Sequence, residues 1–207
     1  MRMKYDQLLI FGKIIGKYKI PLDVIDDLNV RYEKAKSHLS SYSPRLAGRL
    51  NSELDLMGII SDAKGFKKIT ECMDDYMKTG VYYELFPAGY HTLEIIGCWM
   101  NDMMAGEYNP IHTHHDGHGW SGVLFLKIPK FINDARDPHK FKDGQLAFVN
   151  VDGTSSYYII PKVGDFYLFN ANHMHCVNPF KTEKPDEIRR SMAFNFIIKE
   201  PQNDKQT

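Results

Sequence analysis

The chain has little of several things that would narrow its role from composition alone. Three cysteines occur, Cys72, Cys98 and Cys176, far apart and never as Cys-x-x-Cys, which argues against a disulfide framework or a cysteine zinc knuckle. Net charge is missing: 26 Lys and Arg balance 26 Asp and Glu, and no basic run marks a nucleic-acid groove. No apolar stretch approaches the roughly 18 residues of a membrane-spanning helix. The opening Met-Arg-Met-Lys-Tyr-Asp also lacks the apolar core and small-residue cleavage site of a signal peptide. There is no internal repeat or low-complexity segment. These absences lead us to expect a soluble cytoplasmic protein without a membrane or nucleic-acid partner.

What is present suits one domain: 207 residues, 43% hydrophobic and 13% aromatic, enough to bury a substantial core. Leu8 to Phe11 reads as a strand before Gly12, and Ile14-Ile15 repeats that signal weakly. From Val24 the spacing turns helical through Leu28, Tyr32 and Ala35, with aspartates early and lysines late, as the helix dipole prefers. Ser41-Tyr-Ser-Pro44 punctuates the chain, and Arg45 to Leu54 reads as a short helical piece weakened by Gly48. A longer helix runs from Ile59 through Ala63, Phe66, Ile69, Met73, Tyr76 and Met77, with Gly80 as a stop and Gly65 as an internal weakness. Residues 1–85 are therefore expected to be a flank, mostly helical, that covers a sheet.

Beyond it the pattern changes. Leu93 to Met104, Ser121 to Ile128, Gln145 to Val151, Tyr157 to Ile160, Phe166 to Phe169 and Ser191 to Lys199 are short, aromatic or β-branched, and separated by turn residues. Strands in succession without intervening helices predict a mainly β fold, a barrel or jelly roll, over residues 86–200. Pro129 to Asp143 reads as a surface loop and 201–207 as a polar tail.

Four of the nine histidines crowd into Asn109-Pro-Ile-His112-Thr-His114-His115-Asp116-Gly-His118. In an extended segment His112, His114 and Asp116 share a face, so neighbours in that set can grip one ion. A second pair, His173-Met-His175, follows about sixty residues later after a predicted strand. Two neighbouring ligands on one strand plus a distant histidine is how a facial metal triad is assembled, with positions left open. Cys176, beside His175, reads as a small buried residue in preference to a ligand.

The segments Trp99-Met-Asn101, Asn109-Pro-Ile-His112-Thr-His114, Trp120-Ser-Gly-Val-Leu-Phe-Leu, Gly164-Asp-Phe-Tyr-Leu-Phe, His175-Cys-Val-Asn-Pro179 and Arg189-Arg-Ser191-Met-Ala-Phe-Asn195 carry a resemblance. Over about residues 97 to 198 the chain resembles the 2-oxoglutarate- and iron(II)-dependent oxygenases of bacteria and tailed phages, relatives of the prolyl hydroxylases. The resemblance implies a double-stranded β-helix (jelly roll), iron(II) held by His112, His114 and His175, and 2-oxoglutarate as co-substrate. It implies a hydroxylase that converts 2-oxoglutarate to succinate, with an unidentified small-molecule or protein substrate.

Two ligand registers compete, His112 with His114 or His114 with Asp116, the second spelling the His-x-Asp of better-known oxygenases of this fold. Arg189-x-Ser191 can grip the distal carboxylate of 2-oxoglutarate from one strand face, with Arg190 on the other face expected in solvent. Asn101 and Asn195 are candidate donors to the ligand. Trp99, Tyr108, Trp120 and Tyr158 are read as core in preference to pocket lining. The competing readings are a cupin-like metal protein that does not use 2-oxoglutarate and a metal-free jelly-roll binding protein. Arg189 inside the barrel near the metal separates the first from the favoured reading, and dispersed histidines would mark the second.

Overall fold

Along Arg189-Arg-Ser-Met-Ala-Phe-Asn-Phe, large apolar residues alternate with small or polar ones. A strand there offers Met192, Phe194 and Phe196 to one side and Arg189, Ser191 and Ala193 to the other. The computed structural model, which describes residues 5–59, 64–79, 92–114, 118–132 and 142–199, builds the fold on that alternation. Its elements in chain order are β1 (Tyr5–Ile10), β2 (Lys13–Lys19), α1 (Leu22–Ala35), β3 (Ser52–Asp55), α2 (Lys64–Thr79), β4 (Thr92–Met103), β5 (Asn109–His112), β6 (Trp120–Lys127), β7 (Leu146–Val149), β8 (Ser156–Ile159), β9 (Asp165–Asn170), β10 (His175–Val177) and β11 (Arg189–Lys199). A seven-stranded sheet runs β1-β2-β9-β6-β11-β4-β3, and a four-stranded sheet runs β5-β10-β7-β8. Every strand pair is antiparallel. This is a mainly β jelly roll.

The two faces of the large sheet bury different things. Met100, Leu124, Leu168, Met192, Phe194 and Phe196 pack on Ile25, Leu28 and Tyr32 of α1 and on Ile69, Met73 and Tyr76 of α2. Those helix positions recur every three or four residues, which is why both helices form and lie flat on the sheet. Gly65, a weakness in isolation, is a requirement of this packing: a Cβ there would come within 2.7 Å of Val24 Cγ1, so its absence lets α2 approach α1. On the opposite face Phe125, Tyr167 and Phe169 meet Leu146, Phe148 and Ile159 of the small sheet. Among the described residues no helix is long and apolar enough to cross a membrane.

Three sequence expectations need correction. The segment 45–54 is not helical. A single 3-10 turn at Ser43–Arg45 leads into β3, which joins the sheet edge as Tyr42 N–H donates to Glu53 O at 2.7 Å. The N-terminal residues form a full hairpin, β1 with β2, turned by Phe11 and Gly12, both at positive φ, and β2 extends the sheet through β9.

Arg190 is not in solvent. It is fully buried, because α1 covers its face of the sheet. Its Nε and Nη2 donate to the two oxygens of Asp102 at 2.5 and 2.6 Å, Nη2 also reaches Glu33 at 2.8 Å, and Nη1 reaches Asn29 at 3.1 Å. The guanidinium lies over the Tyr32 ring, 4.4 Å from its centroid. Bidentate pairing of this kind compensates a charge removed from water. The stop at Gly80, Ala63, most of the 129–143 loop and the 201–207 tail lie outside the described residues.

Candidate active site

β5 and β10 are four and three residues long, yet their register sets His112 directly opposite His175. His114 follows two residues later, its backbone N–H tied to Ala171 O at 2.9 Å, just before β10. The three imidazoles therefore converge. Their ligand atoms lie within 4.8 Å of one another, and their ring centroids are 4.3 to 5.0 Å apart.

Two rings are pinned so that the same nitrogen faces inward. His112 Nδ1–H donates to Pro110 O at 2.7 Å and His175 Nδ1–H to His173 O at 2.8 Å, leaving each Nε2 with its lone pair. Burial, with His112 beside it, pushes His114 down to about 3. Burial, reinforced by His112 and His114, holds His175 well below the usual histidine range. Burial lowers the His112 pKa as well, so all three favour the neutral form that metal coordination requires.

Nε2 of His114 and Nε2 of His175 are 3.0 Å apart, which calls for a proton or a cation between them. Two nitrogens each ~2.1 Å from one ion and about 90° apart would be ~3.0 Å from each other, so the pair already has the spacing of adjacent ligands. Asp116 and His115 lie outside the described residues. His118 is exposed. His173 is buried against Phe148 with neither ring nitrogen partnered among the described residues, and it is not part of the cluster.

The histidines open into a cavity that is also lined by Asn101, Asn109, Arg189 and Ser191. Arg189 reaches it from β11, where Ser191 pairs with Asn101 of β4. Its Nε donates to Gly144 O at 2.9 Å, Phe125 lies under the guanidinium at 4.9 Å, and Nη1 makes only a long contact of 3.5 Å with Ser191 Oγ. Its Nη2 has no partner among the described residues although the residue is 1% exposed. Burial pushes the guanidinium down to about 9. A desolvated cation with free donors, in one cavity with three metal-ligating nitrogens, fits an anion that also touches the ion. The donor set accordingly suits iron(II) together with 2-oxoglutarate.

His112 and His114 also border an outer cavity of about 420 Å³, shared with Tyr42, Arg45, Leu46, Ala47 and Asn195. Tyr42 stacks on Trp99 at 4.9 Å and 5°, and Arg45 lies over the other side of this wall, 5.2 Å from the Tyr42 centroid. Asn195 is held by Ser121 Oγ–H, which donates to its Oδ1 at 2.8 Å. Of the four aromatics read as core, Trp120 stacks on Phe196 on the helix side, whereas Trp99 lines the inner cavity. Tyr158 lines a separate cavity and Tyr108 is exposed. Tyr42, Arg45, Leu46 and Ala47 were not legible as site residues, and the only local signal was the turn chemistry of Ser41 to Pro44.

Residues 97–195 match the protein family described as "Putative 2OG-Fe(II) oxygenase". No curated protein matches the chain. Among solved structures, a prolyl-4-hydroxylase of Pseudomonas putida is similar, with a TM-score of 0.57 at 17% identity over 94% of this chain and 92% of that one. A viral collagen prolyl hydroxylase of Paramecium Bursaria Chlorella virus-1, solved with 2OG, gives 0.55 at 14% identity over 93% and 94%. A prolyl hydroxylase of Trichoplax adhaerens, in complex with a hypoxia inducible factor peptide fragment, gives 0.55 at 15% identity over 84% and 77%. At these identities the likeness is one of fold.

Proposed function

We propose, from the match of residues 97–195 to the 2OG-Fe(II) oxygenase family, that the chain is an iron(II)- and 2-oxoglutarate-dependent hydroxylase whose ligands are His112, His114 and His175. Arg189 and Ser191 take the distal carboxylate of 2-oxoglutarate, Asn101 contributes a polar contact, and the prime substrate enters through the outer cavity beside Tyr42, Arg45 and Asn195. When bound, the iron and co-substrate supply the oxidant: dioxygen, 2-oxoglutarate and a substrate C–H bond become carbon dioxide, succinate and a C–OH group.

The chain's own share is positioning. The carbonyls of Pro110 and His173 hold the Nδ1 protons of His112 and His175, so Nε2 of each is committed to the ion. Three neutral imidazoles leave the ion's charge uncompensated by protein, which strengthens its hold on an anionic co-substrate. Phe125 and Gly144 O orient the Arg189 fork from behind, so the free donors face the cavity.

The observation that carries the reading is the unpaired Nη2 of buried Arg189 in the same cavity as the three imidazoles. It favours a 2-oxoglutarate enzyme over a cupin acting without that acid, and the converging histidines count against a metal-free jelly roll. The test is succinate formation from 2-oxoglutarate by iron-loaded protein in air, without prime substrate. Slow succinate release that stops on removing iron is expected; no binding of 2-oxoglutarate and no succinate would refute the reading.

A further inference from the structure

Glu53 is 1% exposed, and neither of its side-chain oxygens has a hydrogen-bond partner among the described residues. It lies opposite Asn101 in the β3–β4 register. Flanking positions show which way it points. Leu54 and its partner Met100 belong to the helix-side core, so Glu53 and Asn101 project to the other face, the one that carries the cavity. Directly opposed residues on one face have Cβ atoms ~5 Å apart, within reach of each other's side chains. Asn101 is itself buried, and its Oδ1 also has no partner among the described residues.

Among the described residues no cation pairs with this carboxyl. The loop above it passes so close that a Cβ on Gly48 would come within 2.6 Å of Glu53 Oε1, and Leu46 and Ala47 of the same loop roof the cavity. The loop's other anchor is a second carboxylate: Glu107 accepts from Asn51 N–H at 2.9 Å and Met104 N–H at 2.8 Å. Burial raises the Glu53 pKa; the Ser43 hydroxyl, near the carboxyl but outside hydrogen-bond geometry, opposes that shift and the charge of Glu107 adds to it. Glu53 and Asn101 thus bring acceptor oxygens to the same buried face without a hydrogen-bond partner among the described residues, an arrangement that is unfavourable unless the carboxyl carries a proton.

We propose that Glu53 is carried as the neutral acid and acts as a positioning residue, its O–H donating to Oδ1 of Asn101 so that the Asn101 amide presents Nδ2–H to the 2-oxoglutarate carboxylate. This rests on the functional reading above and adds to it a residue that never touches the ligand. Glutamine at 53 retains a donor for Oδ1; methionine retains the volume and removes the donor.

The experiment measures 2-oxoglutarate binding by calorimetry on full-length protein loaded with manganese(II), for wild type, Glu53→Gln and Glu53→Met, together with manganese affinity. Glu53→Gln should bind 2-oxoglutarate within about twofold of wild type, and Glu53→Met about tenfold more weakly, with manganese affinity unchanged in both. An infrared difference spectrum, wild type minus Glu53→Gln, should show a protonated carboxyl band, a readout that does not depend on how Glu53→Met folds. Wild-type protein that binds no 2-oxoglutarate overturns the functional reading and this inference with it. Normal wild-type binding matched by Glu53→Met, or the absence of the carboxyl band, overturns the inference alone.

Discussion

Replacing Arg189 by methionine separates a ligand-binding arginine from a structural one. Burial holds the guanidinium at about 9. At about 1.4 kcal/mol per pH unit, keeping it charged at neutral pH costs the fold roughly 4–5 kcal/mol. Set against this are one charge-assisted bond to Gly144 O, about 1.5–3 kcal/mol, and stacking on Phe125, about 1–2 kcal/mol. The sums nearly cancel, so Arg189→Met without ligand should unfold in urea within about 2 kcal/mol of wild type. Its affinity for 2-oxoglutarate should fall by about 2–5 kcal/mol, roughly 30- to several-thousand-fold, and Arg189→Lys should recover only part of that.

The pH dependence has a definite sign. The folded-state value lies below the unfolded one, so the penalty is fully present below about 9 and is relieved as pH rises through it. Above that point the unfolded chain holds the extra proton, and stability from this group climbs. The climb should be absent in Arg189→Met and suppressed by saturating 2-oxoglutarate, which restores a counter-charge. A loss of 4 kcal/mol or more in ligand-free Arg189→Met, with 2-oxoglutarate affinity unchanged, would refute the reasoning and make Arg189 a packing residue.

His175→Ala should retain the far-ultraviolet circular dichroism of wild type but lose the rise in melting temperature that iron(II) or manganese(II) gives, with metal affinity down about a hundredfold or more; unchanged affinity would remove His175 from the ligand set. Arg190→Met, unlike its neighbour, strands Asp102 against the helix and should cost about 3–5 kcal/mol in urea unfolding; a loss below about 1 kcal/mol would mean the Asp102 and Glu33 contacts contribute little.

How much was legible in the sequence follows from the range of each interaction. The strands at 120–127, 165–170 and 189–199 announce themselves by local alternation, and the short spacing of His112 and His114 with His175 further on marked them as residues able to share an ion, which their convergence allows. Periodicity also placed Arg189 and Arg190 on opposite faces. It was silent on what covers each face: Asn29 and Glu33 come from a helix some 160 residues earlier, and nothing near Arg190 points to them. Tyr42 and Arg45 reach the site because Arg49 bridges to Tyr108 and β3 docks on β4, long-range pairings that override a locally helical pattern. Nothing local in the sequence singles out Glu53, whose burial follows from its place opposite Asn101 in the β3–β4 register.

The adjacent arginines of β11 have a consequence for how a ligand is captured. One guanidinium is neutralised on the helix side by carboxylates that the sheet keeps from its neighbour; the other meets no anion among the described residues. The chain as a whole carries no formal net charge, so net charge adds nothing to the draw on a dianion from a distance. Attraction begins only inside the mouth, where water is thin and a charge is felt over a few ångströms. If Arg189 takes the distal carboxylate as proposed, the encounter with 2-oxoglutarate gains nothing from net charge, and discrimination falls to how long the dianion stays once it has met Arg189.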